Sequence, residues 1–310
     1  MNKPVPILGL ALLIAAAVST AWWWNSPARF PVPTDLRPAT AETMWPLPPE
    51  SPSMPSIQRR VATLVPGLDS QENCFSLCLS PDLKQIVFGK VVENTGVDLF
   101  MATRNDVAEP FQDVQRIEST VGPETEAYPA MSPDGLELYF IRSDGNPMIW
   151  VARRAAPDAA FGPPEEWSIC KVDEQASRVG TPQAVSAIEI LFSRVDTVKN
   201  TRSIWSCTRQ SGNSFSAPKV YATPDGSPTA FFNPEGQRAY YCTVEDGLYF
   251  MWRESLTAPF GPPTQLLPGT ATGPVDGTIW VAPKEDALFY CSPGPGQKPG
   301  MTRKLWMIGY

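Results

Sequence analysis

The stretch Ser132-Pro133-Asp134-Gly135-Leu136-Glu137-Leu138-Tyr139-Phe140, followed by Ile149-Trp150-Val151-Ala152-Arg153-Arg154 and Phe161-Gly162-Pro163-Pro164, decides the fold of this 310-residue chain. Proline at the second position of a turn presets φ, and Asp and Gly favour its closure, so Ser132–Gly135 reads as a tight turn. The apolar and aromatic runs on either side read as short strands. The turn and strand recur as Ser80-Pro81-Asp82 before Gln85-Ile86-Val87-Phe88, and as Asn233-Pro234-Glu235-Gly236 before Arg238-Ala239-Tyr240-Tyr241. Ala282-Pro283-Lys284-Glu285 before Ala287-Leu288-Phe289-Tyr290 is a further copy. Another copy keeps only the strand, Ile188-Glu189-Ile190-Leu191-Phe192. The acid of the turn occurs as Asp82, Asp134, Glu235 and Lys284. A place that tolerates lysine is a turn-capping place, not a repeated chemical group.

The second strand recurs from Leu99, Ile149, Ile204, Leu248 and Leu305, at intervals of 50, 55, 44 and 57 residues. A phenylalanine follows four of these copies: Phe111, Phe161, Phe215 and Phe260. A period near 50 with several strands per unit predicts an all-β fold, a β-propeller of four-stranded antiparallel blades. A single blade cannot bury both faces, so the aromatics are expected to fill the spaces between blades. The count predicts five blades, with six as the alternative if part of the upstream linker folds. Ala62-Thr63-Leu64-Val65-Pro66-Gly67 resembles outer-strand copies such as Thr264-Gln265-Leu266-Leu267-Pro268-Gly269. Residues 59–65 are therefore expected to complete the last blade and close the ring, removing its open edges.

The Ser-Pro-Asp-Gly turn, the Leu-Tyr-Phe strand and the Ile-Trp-Val-Ala-Arg strand with its later Phe-Gly-Pro-Pro resemble the Pro-Asp class of WD-like repeats found in TolB-type periplasmic propellers. The resemblance spans residues 59–310 and is strongest over 126–164. It implies a protein-binding scaffold of the cell envelope rather than an enzyme. The chain departs from that family in blade number, six being usual there, and in lacking its separate N-terminal domain.

Lys3 precedes an apolar run from Val5 to Trp24, about 30 Å as a helix. Residues 1–24 read as a signal peptide or a transmembrane anchor, with Trp22–Trp24 at the interface. Residues 25–57, with nine prolines, read as an extended linker. Residues 58–310 are then the propeller, placed outside the cytoplasm on the periplasmic side and joined to a membrane through the N-terminal helix. Histidine is absent, which excludes Ser-His and Cys-His nucleophiles and His-ligated zinc. The net charge of −7 argues against nucleic acid as a partner. No cofactor or metal is expected, and the chain is expected to be monomeric.

Chemistry is sparse in the sequence, and no catalytic group is assigned. Aligning the innermost strand of each blade on Glu126 brings Glu72, Glu124, Glu126, Asp225 and Asp276 to a channel rim around Arg178. That arrangement suits a polar ligand. The reading is a non-catalytic extracytoplasmic scaffold that binds an envelope protein or a polar ligand. The alternative is an extracytoplasmic carbohydrate-active hydrolase using channel carboxylates, since paired carboxylates carry glycoside hydrolysis. The six cysteines, at 74, 78, 170, 207, 242 and 291, read mostly as small buried apolar residues. Cys74 and Cys78 are about 13 Å apart along a strand, too far to bridge. Cys242 and Cys291 hold equivalent places in adjacent blades, also a poor pairing.

Overall fold

In a computed structural model, the described residues are 61–310 except 94–95, 144, 168–176, 197–200, 212, 223–229, 244–246, 269–278, 295–296, 298–301 and 310. At 177–178, 201–202, 222, 242–243 and 267–268 only the backbone is described. The anchor and linker expected over 1–57 lie outside this set. Among the described residues no helix is long and apolar enough to cross a membrane.

The described strands form five four-stranded antiparallel sheets, so the chain is a five-bladed propeller. Blade 1 holds β2 (Cys74–Leu79), β3 (Gln85–Val92), β4 (Gly96–Thr103) and β5 (Gln112–Arg116). Blade 2 holds β6 (Thr125–Met131), β7 (Glu137–Ser143), β8 (Met148–Arg153) and β9 (Glu165–Glu166). Blade 3 holds β10 (Ser177–Ala184), β11 (Glu189–Asp196), β12 (Thr201–Thr208) and β13 (Lys219–Ala222). Blade 4 holds β14 (Phe231–Phe232), β15 (Arg238–Thr243), β16 (Gly247–Trp252) and β17 (Thr264–Pro268). In blade 5, β18 (Ile279–Val281), β19 (Ala287–Ser292) and β20 (Lys304–Gly309) are completed by β1 (Thr63–Leu64). Thr63 lies opposite Met307 and Leu64 opposite Trp306, so the upstream strand closes the last blade as its sequence suggests.

The turns form as they do because side chains replace missing backbone partners. Ser132 Oγ donates to Asp134 Oδ1 at 2.6 Å and accepts the Glu137 amide at 2.8 Å, while Asp134 Oδ1 accepts the Leu136 amide at 3.0 Å. Ser80, Asp82, Gln85 and Lys84 repeat the pattern. In blade 4 Asn233 takes the serine's place, accepting the Arg238 amide at 2.9 Å. The turn acids are thus capping acceptors.

Five apolar clusters each span two neighbouring blades, one at every junction of the ring. Leu79, Phe88, Phe289 and Met307 join blades 5 and 1; Val87, Leu138 and Phe161 join 1 and 2. Tyr139 and Phe192 join 2 and 3, Leu191 and Phe232 join 3 and 4, and Tyr240 and Tyr290 join 4 and 5. Alternation sends successive residues of a second strand to opposite faces: Phe88 turns to blade 5 and Val87 to blade 2. Both faces of every blade are therefore apolar, and the ring is the arrangement that buries them all.

The innermost strands of blades 1–3 break register, between Cys74 and Leu77, Ala127 and Ala130, and Gly180 and Gln183. Tyr128 and Thr181 take positive φ in these bulges, 56° and 36°. Bulges bend a strand and free backbone groups. The Tyr128 amide uses that freedom to donate to Ser76 Oγ of blade 1 at 2.7 Å.

Candidate functional site

The innermost strands converge on a central cavity of about 70 Å³. Cys78, Met131, Gln183, Phe231 and Trp280, one from each blade, are among its walls, and none of its described lining residues carries a charge. Its size accommodates a side chain or a few waters, well short of the roughly 300 Å³ at which ligand pockets begin.

Three of the rim residues expected from the sequence have described side chains: Glu72, Glu124 and Glu126. Glu126, the second residue of β6, lies opposite Arg142 of β7, and its side chain is 0% exposed. Arg142 Nε donates to Glu126 Oε1 at 3.1 Å, and its Nη2 donates to the Thr120 carbonyl at 2.6 Å. The same guanidinium lies 4.4 Å over the Trp150 ring and 4.0 Å from Glu124. Glu126 Oε2 is sealed without a hydrogen-bond partner. Asp98 of blade 1, itself fully buried and 3.3 Å from Arg116, adds repulsion. Burial therefore pushes the Glu126 carboxyl up to about 7 against the pull of Arg142, with Asp98 and Glu124 reinforcing the rise. This is a proton-holding group closed off between blades, with no open face toward a substrate.

Glu72 is exposed and lies 3.6 Å from Lys304. Arg178 sits in β10 opposite Val195, its side chain outside the described set; Asp225 and Asp276 also lie outside it. None of Glu72, Glu124 and Glu126 lines the central cavity.

A larger cavity, about 360 Å³, opens between blades 2 and 3. Glu137, Tyr139, Arg153 and Arg209 line it beside the Ser132–Asp134 turn, with Ala187 and Asn213 of blade 3 opposite. Glu137 Oε1 accepts from Arg153 Nε at 3.1 Å, and its Oε2 accepts from the Tyr139 hydroxyl at 2.7 Å and from Arg209. Burial, then the adjacent Glu137 carboxylate, pushes the Tyr139 hydroxyl up. The cavity opens where blade 3 lacks the proline turn: Val185–Glu189, held by Glu189 O accepting the Val185 amide at 3.1 Å, is one residue shorter than the equivalent Ser132–Glu137 connection. A related latch joins blades 4 and 5, where Glu285 Oε2 accepts from Tyr240 at 2.6 Å and from Arg238. There the full Ala282–Glu285 turn supplies the acid.

One recurring device escapes the sequence reading above. The arginine that follows the third strand lies over the later phenylalanine in four blades. The distances are 4.3 Å for Arg104 on Phe111, 4.4 Å for Arg154 on Phe161, 4.7 Å for Arg209 on Phe215 and 4.6 Å for Arg253 on Phe260. Nε of Arg104, Arg154 and Arg253 also donates to a turn carbonyl, at Leu83, Gly135 and Gly236. The signal was present as a fixed Arg-to-Phe spacing of six or seven residues.

No family model and no curated protein matches the chain. Solved structures do resemble it. An α-L-arabinofuranosidase from Podospora anserina in complex with cellotriose aligns with a TM-score of 0.51 at 13% identity, over 78% of this chain and 91% of its own. The catalytic domain of the Coprinopsis cinerea GH62 α-L-arabinofuranosidase gives 0.51 at 13%, over 83% and 98%. TolB from Acinetobacter baumannii gives 0.47 at 12%, over 77% of this chain and 55% of that one, so the chain spans about half of TolB's length. At these identities the likeness is one of fold.

Proposed function

We propose that the chain is a non-catalytic, extracytoplasmic binding propeller whose ligand-holding feature is the polar cavity between blades 2 and 3. The observation that carries this reading is the contrast between the two cavities. The central one encloses about 70 Å³ and its described walls carry no charge, whereas the inter-blade one is about 360 Å³ and presents Arg153, Arg209, Glu137 and Tyr139. Ligand pockets combine that size with a few fixed polar groups. Ion pairing by Arg153 and Arg209 fixes Glu137 in place, so the cavity offers preset donors and acceptors to a polar ligand or a polar side chain of an envelope protein. The extracytoplasmic setting is supported by the apolar run Val5–Trp24.

The hydrolase alternative needs two carboxylates flanking one bond, about 5 to 9.5 Å apart. Glu126 is sealed by Arg142 and Glu72 stands at the surface beside Lys304, which favours binding over cleavage. Two measurements decide. The purified chain is incubated with arabinose- and xylose-containing glycans, and no reducing ends above buffer are expected; turnover abolished by E126A or D276A would establish the enzyme instead. The immobilised chain is also exposed to solubilised envelope, and capture competed by soluble wild type but not by A187W is expected. Ala187 is an exposed rim residue, so tryptophan blocks the mouth without disturbing the core. Equal competition by A187W would move binding elsewhere.

A further inference from the structure

Cys74 and Cys291 stand at the seam where blade 5 meets blade 1, at two repeat positions that face each other across neighbouring blades. The registers establish the equivalence. Cys74 pairs with Lys90 in blade 1 as Glu126 pairs with Arg142 in blade 2, each near the start of the innermost strand. Gly89 follows Gln85–Phe88 in β3 as Cys291 follows Ala287–Tyr290 in β19. Between blades 1 and 2 these positions nearly touch: a Cβ on Gly89 would lie 3.9 Å from the Glu126 carbonyl oxygen. At the seam the same two positions are both thiols.

Contacts at the seam agree. Cys74 and Cys291 are both 0% exposed and belong to the same apolar cluster. The Cys74 amide donates to the Arg303 carbonyl of blade 5 at 3.2 Å, two residues from Leu305, the partner of Cys291 in β20. Burial pushes both thiols up, Cys74 to about 12, and the nearby Cys74 adds to the rise at Cys291. The pairings weighed from the sequence, Cys74 with Cys78 and Cys242 with Cys291, look along a strand or between like positions. The seam instead joins unlike positions of unlike strands, Gly89-type to Glu126-type, which a copy-on-copy comparison does not bring together.

We propose that Cys74 and Cys291 are joined by a disulfide that locks the ring at the seam where the two-residue strand β1 completes blade 5. Each thiol gives up one proton and one electron, an S–S bond forms, and a disulfide oxidant such as glutathione disulfide takes the pair of electrons and the protons to become two thiols. Exposed thiolate is scarce once the seam has closed, so the bond forms during folding and is then shielded from reductant. The proposal rests on the exported setting only for the oxidant met in the cell; its test is made in solution.

The full chain is refolded in a glutathione redox buffer, alkylated in denaturant without reductant, and digested. The expected product is the Cys74 peptide joined to the Cys291 peptide, two hydrogens lighter than their sum, with Cys78 and Cys207 alkylated. Reduction in denaturant frees both thiols and lowers Tm on refolding by roughly 5–15 °C. C78A keeps the cross-link and the higher Tm, whereas C291S loses both. The peptide map of the unmutated chain stands even if C291S fails to fold. Alkylated Cys74 and Cys291 after oxidative refolding, or a bond from either to another cysteine, would overturn the pairing. A cross-link without a change in Tm would overturn the locking role. A cross-link in solution with reduced thiols in the chain isolated from cells would count against export and not against the pair.

Discussion

Glu126 binds its proton more tightly in the folded chain than in the unfolded one. Its carboxyl titrates near 7 instead of 4.5, so between those values the folded state holds the extra proton. Stability from this group is fully present below about pH 4.5 and falls as pH rises through 7. The chain has no histidine, so no imbalance from imidazole is superimposed on that window. Urea unfolding of the wild type should lose on the order of 2–3 kcal/mol from pH 4.5 to 7.5 through this group. E126Q should show that slope flattened; an unchanged slope would assign the titration to another group. Arg253 tests the stacked cation. It lies 4.6 Å over Phe260, and its Nε donates to Gly236 and its Nη2 to Tyr221. R253A should cost about 2–4 kcal/mol, and R253K should recover less than half, because an ammonium cannot stack flat and bridge both acceptors. Full recovery by lysine would reduce the role to charge alone.

At the scale of the element, the turn capped by Ser132 and Asp134 organises blade 2, and Ser80 and Asp82 repeat it in blade 1. Ser132 serves two bonds and Asp134 accepts two. S132A is expected to cost about 1–2 kcal/mol and D134A about 1 kcal/mol in the same unfolding assay; a neutral S132A would show that the turn holds without it. This element was legible because its physics is local: proline sets φ, a hydroxyl or amide caps, and apolar residues follow at strand spacing. The strands repeating at Leu99, Ile149, Ile204, Leu248 and Leu305 were legible for the same reason. The Arg–Phe pairing was not read, because it joins the end of one strand to a loop beyond it and neither half has a propensity of its own. The cavity between blades 2 and 3 was out of reach too. It arises from what blade 3 lacks, and a missing proline turn looks in sequence like a weak repeat. Glu126 was expected at a channel rim, but it is buried against Arg142 with Asp98 of blade 1 nearby, and neither the bulge at Tyr128 nor that packing can be read from periodicity.

For the whole molecule the decisive feature is closure. Each blade buries apolar side chains on both faces, so every junction of the ring depends on its neighbours, and the blade 5 to blade 1 junction depends on residues far apart in sequence. Leu64 pairs with Trp306, and the Val65 amide donates to Leu305 at 3.0 Å. Residues of the upstream segment then reach blade 1, where Phe111 donates its amide to Pro66 at 2.9 Å. Gly67 makes this crossing possible: with φ of 83°, a Cβ there would stand 2.0 Å from the Phe111 carbonyl oxygen. G67A should therefore weaken the seam by more than 1 kcal/mol, a loss visible as earlier unfolding. The most direct measurement is calorimetric unfolding, under reducing conditions, of the chain with and without residues 58–67. A ring latched by its own upstream strand predicts one cooperative transition in the intact chain and a Tm lower by roughly 10 °C or more after the deletion. Superimposable transitions would contradict it.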